Sequence, residues 1–572
     1  MSTSSGVSTS SSGGNPDAGV GDGGGTGADA GYQVDAGQGD GGAPAAPNVA
    51  AVFGYPYTSV APFQLNTDAQ TACEDETPNA TSPTLPPRPA ESTNCAGNPN
   101  LCGQSGAQSC SAEPAASTWL HRVTVDTDRF PNAVCNDGSP AVFEVRAGSG
   151  AGTDRWGIWF KGGGSCYSQH ECAQRWCGNQ AGDKYTAAVM STDWNGDGLV
   201  DRPHCTNPEP GSMFDTMAGN PFSTVNSVLI WYCSSDTYGG QAADVLLEDT
   251  ADDDATPRNF TMHYRGHEIV VAVVAMLKEG VTSDDGVVTL PSIDLATDVL
   301  VSGSSAGGVG ALKNMDFVHQ TLRNTNSTVN VKGLIDAAMP PSAEALDGYP
   351  VYFDGARDEL ATPGAVYSQV RIAYENADWT TGMAAAMNAF DDETCMAAHG
   401  VTDPATCSIP PALILAPDGP FIETELFLRM DLGDRVIGGP FLPCEDPITE
   451  LGCYTPNHSR LSSSATGPGD WLDIYDGSDL NRTTLVDILA DGRVVTGVFS
   501  PACGTHTGLT NNNYTQQTVT DFDESTGTFV GQPRTFAQTL VDWLVNGGPI
   551  RVIDASQSSP LAPSSVCNGD PG

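Results

Sequence analysis

The chain runs to 572 residues and carries 69 acidic against 24 basic side chains, a formal charge of −45. So large an acidic excess repels nucleic acid and anionic membranes, which removes the polyanion-binding classes. A membrane-crossing helix needs about 20 apolar residues, and the longest apolar run, residues 269–277, is nine residues between Glu268 and Lys278.

Residues 1–49 are rich in Ser and Gly and then carry Asp-Ala-Gly repeats at residues 17–19, 29–31 and 35–37. Such a stretch has almost nothing to bury against its ordering entropy, so it reads as a flexible acidic tether. Its composition resembles the spacer behind the lipidated cysteine of some bacterial lipoproteins, and a secreted or cell-surface, extracytoplasmic protein is expected. A basic start followed by an apolar stretch is not seen from Met1 onward. The expectation is either a start further upstream or another export route.

Residues 50–115 are rich in Pro and Asn and hold Cys73, Cys95, Cys102 and Cys110. A disulfide-tied wrap against the main domain is expected, with a separate binding module as the alternative. The chain has 16 cysteines, even in number, dispersed, and without a CxxC pair. That usage fits disulfides in an oxidising compartment rather than zinc ribbons or thioredoxin-like sites.

From Trp119 the texture changes. Short apolar, β-rich runs begin at Val142, Trp156, Ser227, Asp298, Gly333 and Pro411, and helical patterns cover 266–278 and 308–323. Strands alternating with helices predict an α/β fold, a mostly parallel sheet with flanking helices. One continuous domain over 116–556 is expected, followed by a C-terminal tail, 557–572.

Within that domain, Gly303-Ser-Ser305-Ala-Gly307 is the chain's one GxSxG. An apolar strand runs into it and a helical pattern leaves it, the strand–turn–helix setting of a nucleophile elbow. Small flanking residues let a serine be lifted clear of the sheet, and the following helix start sets N–H groups beside a developing oxyanion. The alternative, a phosphate-holding turn, lacks the lysine spacing of a phosphate loop. The base should follow in the chain. His319 lies in the helix leaving the elbow, His399 between Cys395 and Cys407, and His458 in a Pro-Asn-His-Ser turn. His506 follows an apolar strand, 495–499, and the Pro-Ala-Cys-Gly-Thr loop. His506 is the candidate base.

Several segments taken together resemble the pectin acetylesterases and the related Notum carboxylesterases. They are Val134-Cys-Asn-Asp-Gly-Ser-Pro, Lys161-Gly-Gly-Gly-Ser-Cys166, Tyr232-Cys-Ser-Ser-Asp, Tyr264-Arg-Gly, Ser302-Gly-Ser-Ser-Ala-Gly-Gly and Cys503-Gly-Thr-His506. They stand in that family's order over about residues 118–556. The resemblance implies an α/β-hydrolase-like serine esterase with Ser305 as nucleophile and His506 as base. It needs no cofactor and no metal, and its substrate is an esterified polysaccharide or another ester. It further implies an oxyanion hole from the backbone of Gly163, Gly164 and Ala306, a Cys135–Cys233 disulfide, and pairing of Cys166 with Cys172 or Cys177. Ser165 departs from the aromatic residue usual beside the glycine run. For the acid, the family places an Asp a few residues beyond a strand. Asp418, at the end of the Pro411-Ala-Leu-Ile-Leu run, fits that rule, with Glu423 as the competitor. A monomer is expected, acting on O-acetyl groups of polysaccharide; a longer acyl ester on protein or lipid and an inactive glycan-binding protein are the alternatives.

Residues 193–201 match the first nine positions of a calcium loop, but His204 stands where the twelfth-position carboxylate belongs. Calcium and a merely acidic turn both remain open on the sequence. The charge suggests a substrate preference as well. An enzyme at −45 should favour neutral or heavily esterified glycans over a polyanionic backbone.

Overall fold

The computed structural model describes residues 118–166, 204–249, 258–340, 387–434 and 472–556, less 209, 217–219, 400–404, 417–418 and 524. It also describes 172, 190–192, 352–353, 358–359 and 564–565. The expected tether, the Cys/Pro-rich extension, the 193–201 loop, His458 and Asp418 lie outside the described residues.

Ten strands form the central sheet: β1 (Leu120–Thr124), β2 (Val142–Arg146), β3 (Arg155–Phe160), β4 (Cys205–Thr206), β5 (Asn226–Ile230), β6 (Asp298–Ser304), β7 (Asn330–Asp336), β8 (Leu426–Arg429), β9 (Val495–Ser500) and β10 (Ile550–Ile553). Their spatial order is β10-β9-β8-β7-β6-β3-β5-β2-β1-β4. From β10 to β5 every neighbouring pair is parallel. The pairs β5–β2, β2–β1 and β1–β4 are antiparallel.

Period-two alternation inside continuous apolar runs explains why both faces are covered. Val299 and Val301 of β6 join one buried cluster, with Ile335, Leu428 and Val498, while Leu300 joins another, with Leu334, Phe427 and Phe499. The first cluster takes up apolar residues of α1 (Gly266–Glu279), α2 (Ala306–Lys313), α3 (Met315–Thr325) and α4 (Leu472–Asp491). The second takes up Phe536, Leu540 and Trp543 of α5 (Phe536–Asn546). No helix among the described residues is long and apolar enough to cross a membrane.

Two local expectations change. The helical pattern over 308–323 is two helices, because the buried Asn314 side chain donates to the carbonyls of Gly310 (2.9 Å) and Tyr238 (3.0 Å) at the break. The apolar run at Pro411 is not a strand but a short helix, Pro410–Leu415, with prolines in its first turn. Proline there gives up no intrahelical bond and its fixed φ suits a helix start.

The chain order leaves β3 for β5 on one side and returns to build β6 through β9 on the other. Ligands in open parallel sheets bind at such a switch, beyond the carboxyl ends of the strands. The loops after β3 and β6 carry the glycine run and Ser305.

Candidate active site

Ser305 is the residue between β6 and α2, with φ 57° and ψ −131°. A non-glycine residue in this region costs about 1–3 kcal/mol and persists only where its surroundings hold it. Here the Ser305 N–H donates to the Asp336 carbonyl at 2.9 Å. The flanking glycines are required by space. A Cβ on Gly303 would lie 2.1 Å from the Gly307 oxygen, and one on Gly307 would lie 2.1 Å from the Phe160 oxygen.

His506 stands over this turn. Its Nε2 is 2.7 Å from Ser305 Oγ, and its Nδ1 is 2.9 and 3.0 Å from the two carboxylate oxygens of Asp434. The geometry fits one tautomer: Nδ1–H donates to Asp434 while Nε2 accepts from the serine hydroxyl. The Asp434 side chain is fully buried and the imidazole partly open. Asp434 lies in the turn after β8, where Leu432 and Gly433 N–H donate to the carbonyls of Pro501 (2.7 Å) and Cys503 (3.0 Å). Those bonds tie the acid's turn to the loop that carries His506.

Among the described residues the carboxylate on the imidazole is Asp434; the expected acid, Asp418, lies outside the described residues, and its competitor Glu423 does not meet His506. Glu423 is exposed, and its N–H donates to Asp316 at 3.0 Å. Asp434 follows strand β8 by five positions, a spacing that matches an Asp a few residues beyond a strand. The signal was Leu426-Phe-Leu-Arg-Met-Asp-Leu-Gly-Asp434, an apolar strand disguised by its buried arginine. Among the other histidines, His319 Nδ1 lies 2.7 Å from the Thr424 hydroxyl, and His399 packs against Phe421.

The glycine run leaves β3 beside the elbow. A Cβ on Gly162 would lie 2.4 Å from the Ser304 oxygen and 3.0 Å from Ser305 Cβ, and Gly164 has φ 71°. Gly163 and Gly164 thus lie on the loop that abuts Ser305, and Ala306 opens α2, where the first N–H groups have no intrahelical acceptor. The loop's end is pinned by Cys166 N–H on the Ser235 carbonyl (3.2 Å) and by a Cys166–Cys172 disulfide. A second disulfide, Cys135–Cys233, anchors the next segment. There Asp236 accepts from the N–H groups of Tyr238 (3.0 Å), Gly240 (3.1 Å) and Gly266 (2.8 Å). Burial pushes the Asp236 carboxyl up to about 6, against those hydrogen bonds. The Tyr232-Cys-Ser-Ser-Asp and Tyr264-Arg-Gly segments are thus a frame for the glycine loop. A third disulfide joins Cys395 and Cys407.

Comparisons with known proteins bear on this arrangement. Residues 115–344 match the family model described as pectinacetylesterase. The palmitoleoyl-protein carboxylesterase notum1a of Danio rerio is 27% identical over 405 residues, 68% of this chain and 61% of that protein. The corresponding notum2 of Xenopus laevis is 30% identical over 206 residues, 36% of this chain and 34% of that protein. Pectin acetylesterase 11 of Arabidopsis thaliana is 25% identical over 206 residues, 36% of this chain and 42% of that protein. The chain therefore spans less than two thirds of the length of these relatives. The crystal structure of the Wnt deacylase Notum from Drosophila shares the fold, with a TM-score of 0.50 at 20% identity over 77% of this chain and 97% of that one.

Proposed function

Residues 115–344 match the pectinacetylesterase family model, and from that match we propose that the chain is a serine carboxylesterase that removes O-acetyl groups from polysaccharide. The observation that carries the reading is His506 held between Ser305 and Asp434 at hydrogen-bond distance on both sides. The Ser305 oxygen attacks the ester carbonyl while its proton passes to His506 Nε2. The tetrahedral oxyanion is received by N–H groups of Gly163, Gly164 and Ala306, each worth about 3 kcal/mol in the transition state. As the carbon–oxygen bond breaks, His506 returns the proton to the leaving sugar hydroxyl, and the acetyl group stays on Ser305. Water then attacks this acyl-enzyme, giving its proton to His506; the bond from the acetyl carbon to Ser305 Oγ breaks as His506 returns that proton to Oγ, and acetate leaves. Throughout, buried Asp434 holds the imidazole in one tautomer and stabilises its charged form.

The chemistry draws on side chains and backbone alone. Three disulfides among the described residues support a place outside the cytoplasm, with residues 1–49 as the tether between the enzyme and a surface. A second reading, a longer acyl chain on protein or lipid, is favoured by one fact: the match to notum1a extends over about twice the length of the match to pectin acetylesterase 11. A series of aryl esters of increasing acyl length, run beside acetate release from a panel of acetylated polysaccharides, tests the choice. A steep fall beyond acetate, with acetate released from at least one glycan, is expected. A maximum at much longer chains would overturn the acetyl reading in favour of the second.

A further inference from the structure

A row of buried polar residues crosses the carboxyl edge of the sheet beneath the site. The strand register pairs Ser304 of β6 with Asp336 of β7, and Asp336 with Arg429 of β8. The side chains of Asp336, Arg429 and Asp431 have no solvent exposure. Arg429 Nη1 donates to Asp336 Oδ1 at 2.9 Å, while Nη2 donates to Asp431 Oδ1 and to Gln517 Oε1 (2.9 Å).

Each carboxylate turns its second oxygen to the loop that carries His506. Asp431 Oδ2 accepts the Thr505 N–H at 2.8 Å, on one side of the histidine. Asp336 Oδ2 accepts the N–H groups of Gly508 (2.9 Å) and Leu509 (3.2 Å) on the other, together with the Ser304 hydroxyl (2.7 Å). The loop lies flat on the guanidinium, since a Cβ on Gly508 would fall 2.6 Å from Arg429 Nε. The same two acids reach the other segments of the site. Ser305 N–H donates to the Asp336 carbonyl (2.9 Å), and Asp434 N–H to the Asp431 carbonyl (3.1 Å).

Three chain segments, bearing serine, histidine and aspartate, thus meet on one guanidinium. Stability alone does not call for such a cluster, because well-packed apolar residues in place of a buried ion pair are often as stable or more so. We propose that Arg429 is the positioning residue of this site: through Asp336 and Asp431 it sets where His506 stands between Ser305 and Asp434. The inference rests on the esterase reading. A lysine could not reproduce it, since one point charge cannot serve two carboxylates and Gln517 with a planar fork.

The test uses the full chain. Arg429→Lys should keep its fold by circular dichroism yet lose about 100-fold in kcat on an aryl acetate, with KM within about twofold. Its proton NMR spectrum should lose or broaden the downfield resonance of the His506 Nδ1 proton, a readout independent of turnover. If Arg429→Lys fails to fold, Gln517→Met, which leaves both ion pairs in place, should lose about tenfold in kcat at constant KM and weaken the same resonance. A folded variant with wild-type kcat and an unchanged His506 resonance overturns the role given to Arg429. Wild type that neither hydrolyses the ester nor takes a fluorophosphonate label overturns the esterase reading instead, while the resonance still reports the placement of His506.

Discussion

Ser305 and Asp434 meet opposite nitrogens of one imidazole, so substitutions at the two ends should fail differently. Under the proposed mechanism Ser305→Ala removes the attacking atom. Asp434→Asn keeps the shape but offers an amide to Nδ1 and favours the wrong tautomer. We expect Asp434→Asn to lose about 10⁴-fold in kcat on an aryl acetate, the scale of the corresponding change in other serine triads. Asp418→Asn and Glu423→Gln should stay within about twofold of wild type, since Asp434 supplies a carboxylate to His506 at hydrogen-bond distance. Full activity in Asp434→Asn, or its loss in Asp418→Asn, would assign the acid's role to Asp418 instead. Close by, burial together with the neighbouring Asp434 holds the Asp431 carboxyl up to about 7, against the pull of Arg429. That placement beneath the histidine is the residue-scale mark of the Arg429 cluster.

Elements that combine length with clear flanks were legible from the chain: β6 and the elbow after it, β3 and the glycine run, and α1 with its nine buried positions. Short apolar runs were not. Residues 411–415 read as a strand because periodicity cannot tell five apolar residues of a helix from five of a strand. The true strand, β8, was hidden because Arg429 broke its apolar run, and only tertiary contact with Asp336 and Asp431 makes a charge acceptable there. A signal confined to sequence neighbours cannot show a partner 93 positions away. The elbow itself yields a prediction at this scale. Gly307→Ala sets a methyl group against backbone, not against a flexible side chain, so the strand or helix must move. We expect a loss of about 1–3 kcal/mol in urea unfolding, the usual cost of overpacking, with lower kcat. An unchanged midpoint would show that the elbow is looser than its contacts indicate.

At the scale of the whole molecule, buried acids and the net charge act in the same direction. Burial raises Asp236 and Asp316 to about 6 and Asp431 to about 7. Between pH ~4 and those values the folded chain binds protons that the unfolded chain has released, so stability falls as pH rises through the window. Burial also lowers the imidazoles of His263, His267 and His319, which opposes this up to pH ~6.5, but burial raises more carboxyls, Glu268, Asp392, Glu393 and Asp521 among them. Self-repulsion at −45 adds to the loss. Thermal unfolding should show a higher Tm at pH 5 than at pH 7.5; a rise over that interval would contradict the balance. The same charge predicts that turnover of unesterified-rich pectin increases with added salt, while turnover of a neutral acetylated glycan does not. The proposed chemistry requires a covalent step at one serine. Wild type quenched in acid during turnover of an aryl acetate should carry one acetyl group on the peptide containing Ser305, and Ser305→Ala should carry none. An acetyl group found on another residue, or equal turnover by Ser305→Ala, would contradict it.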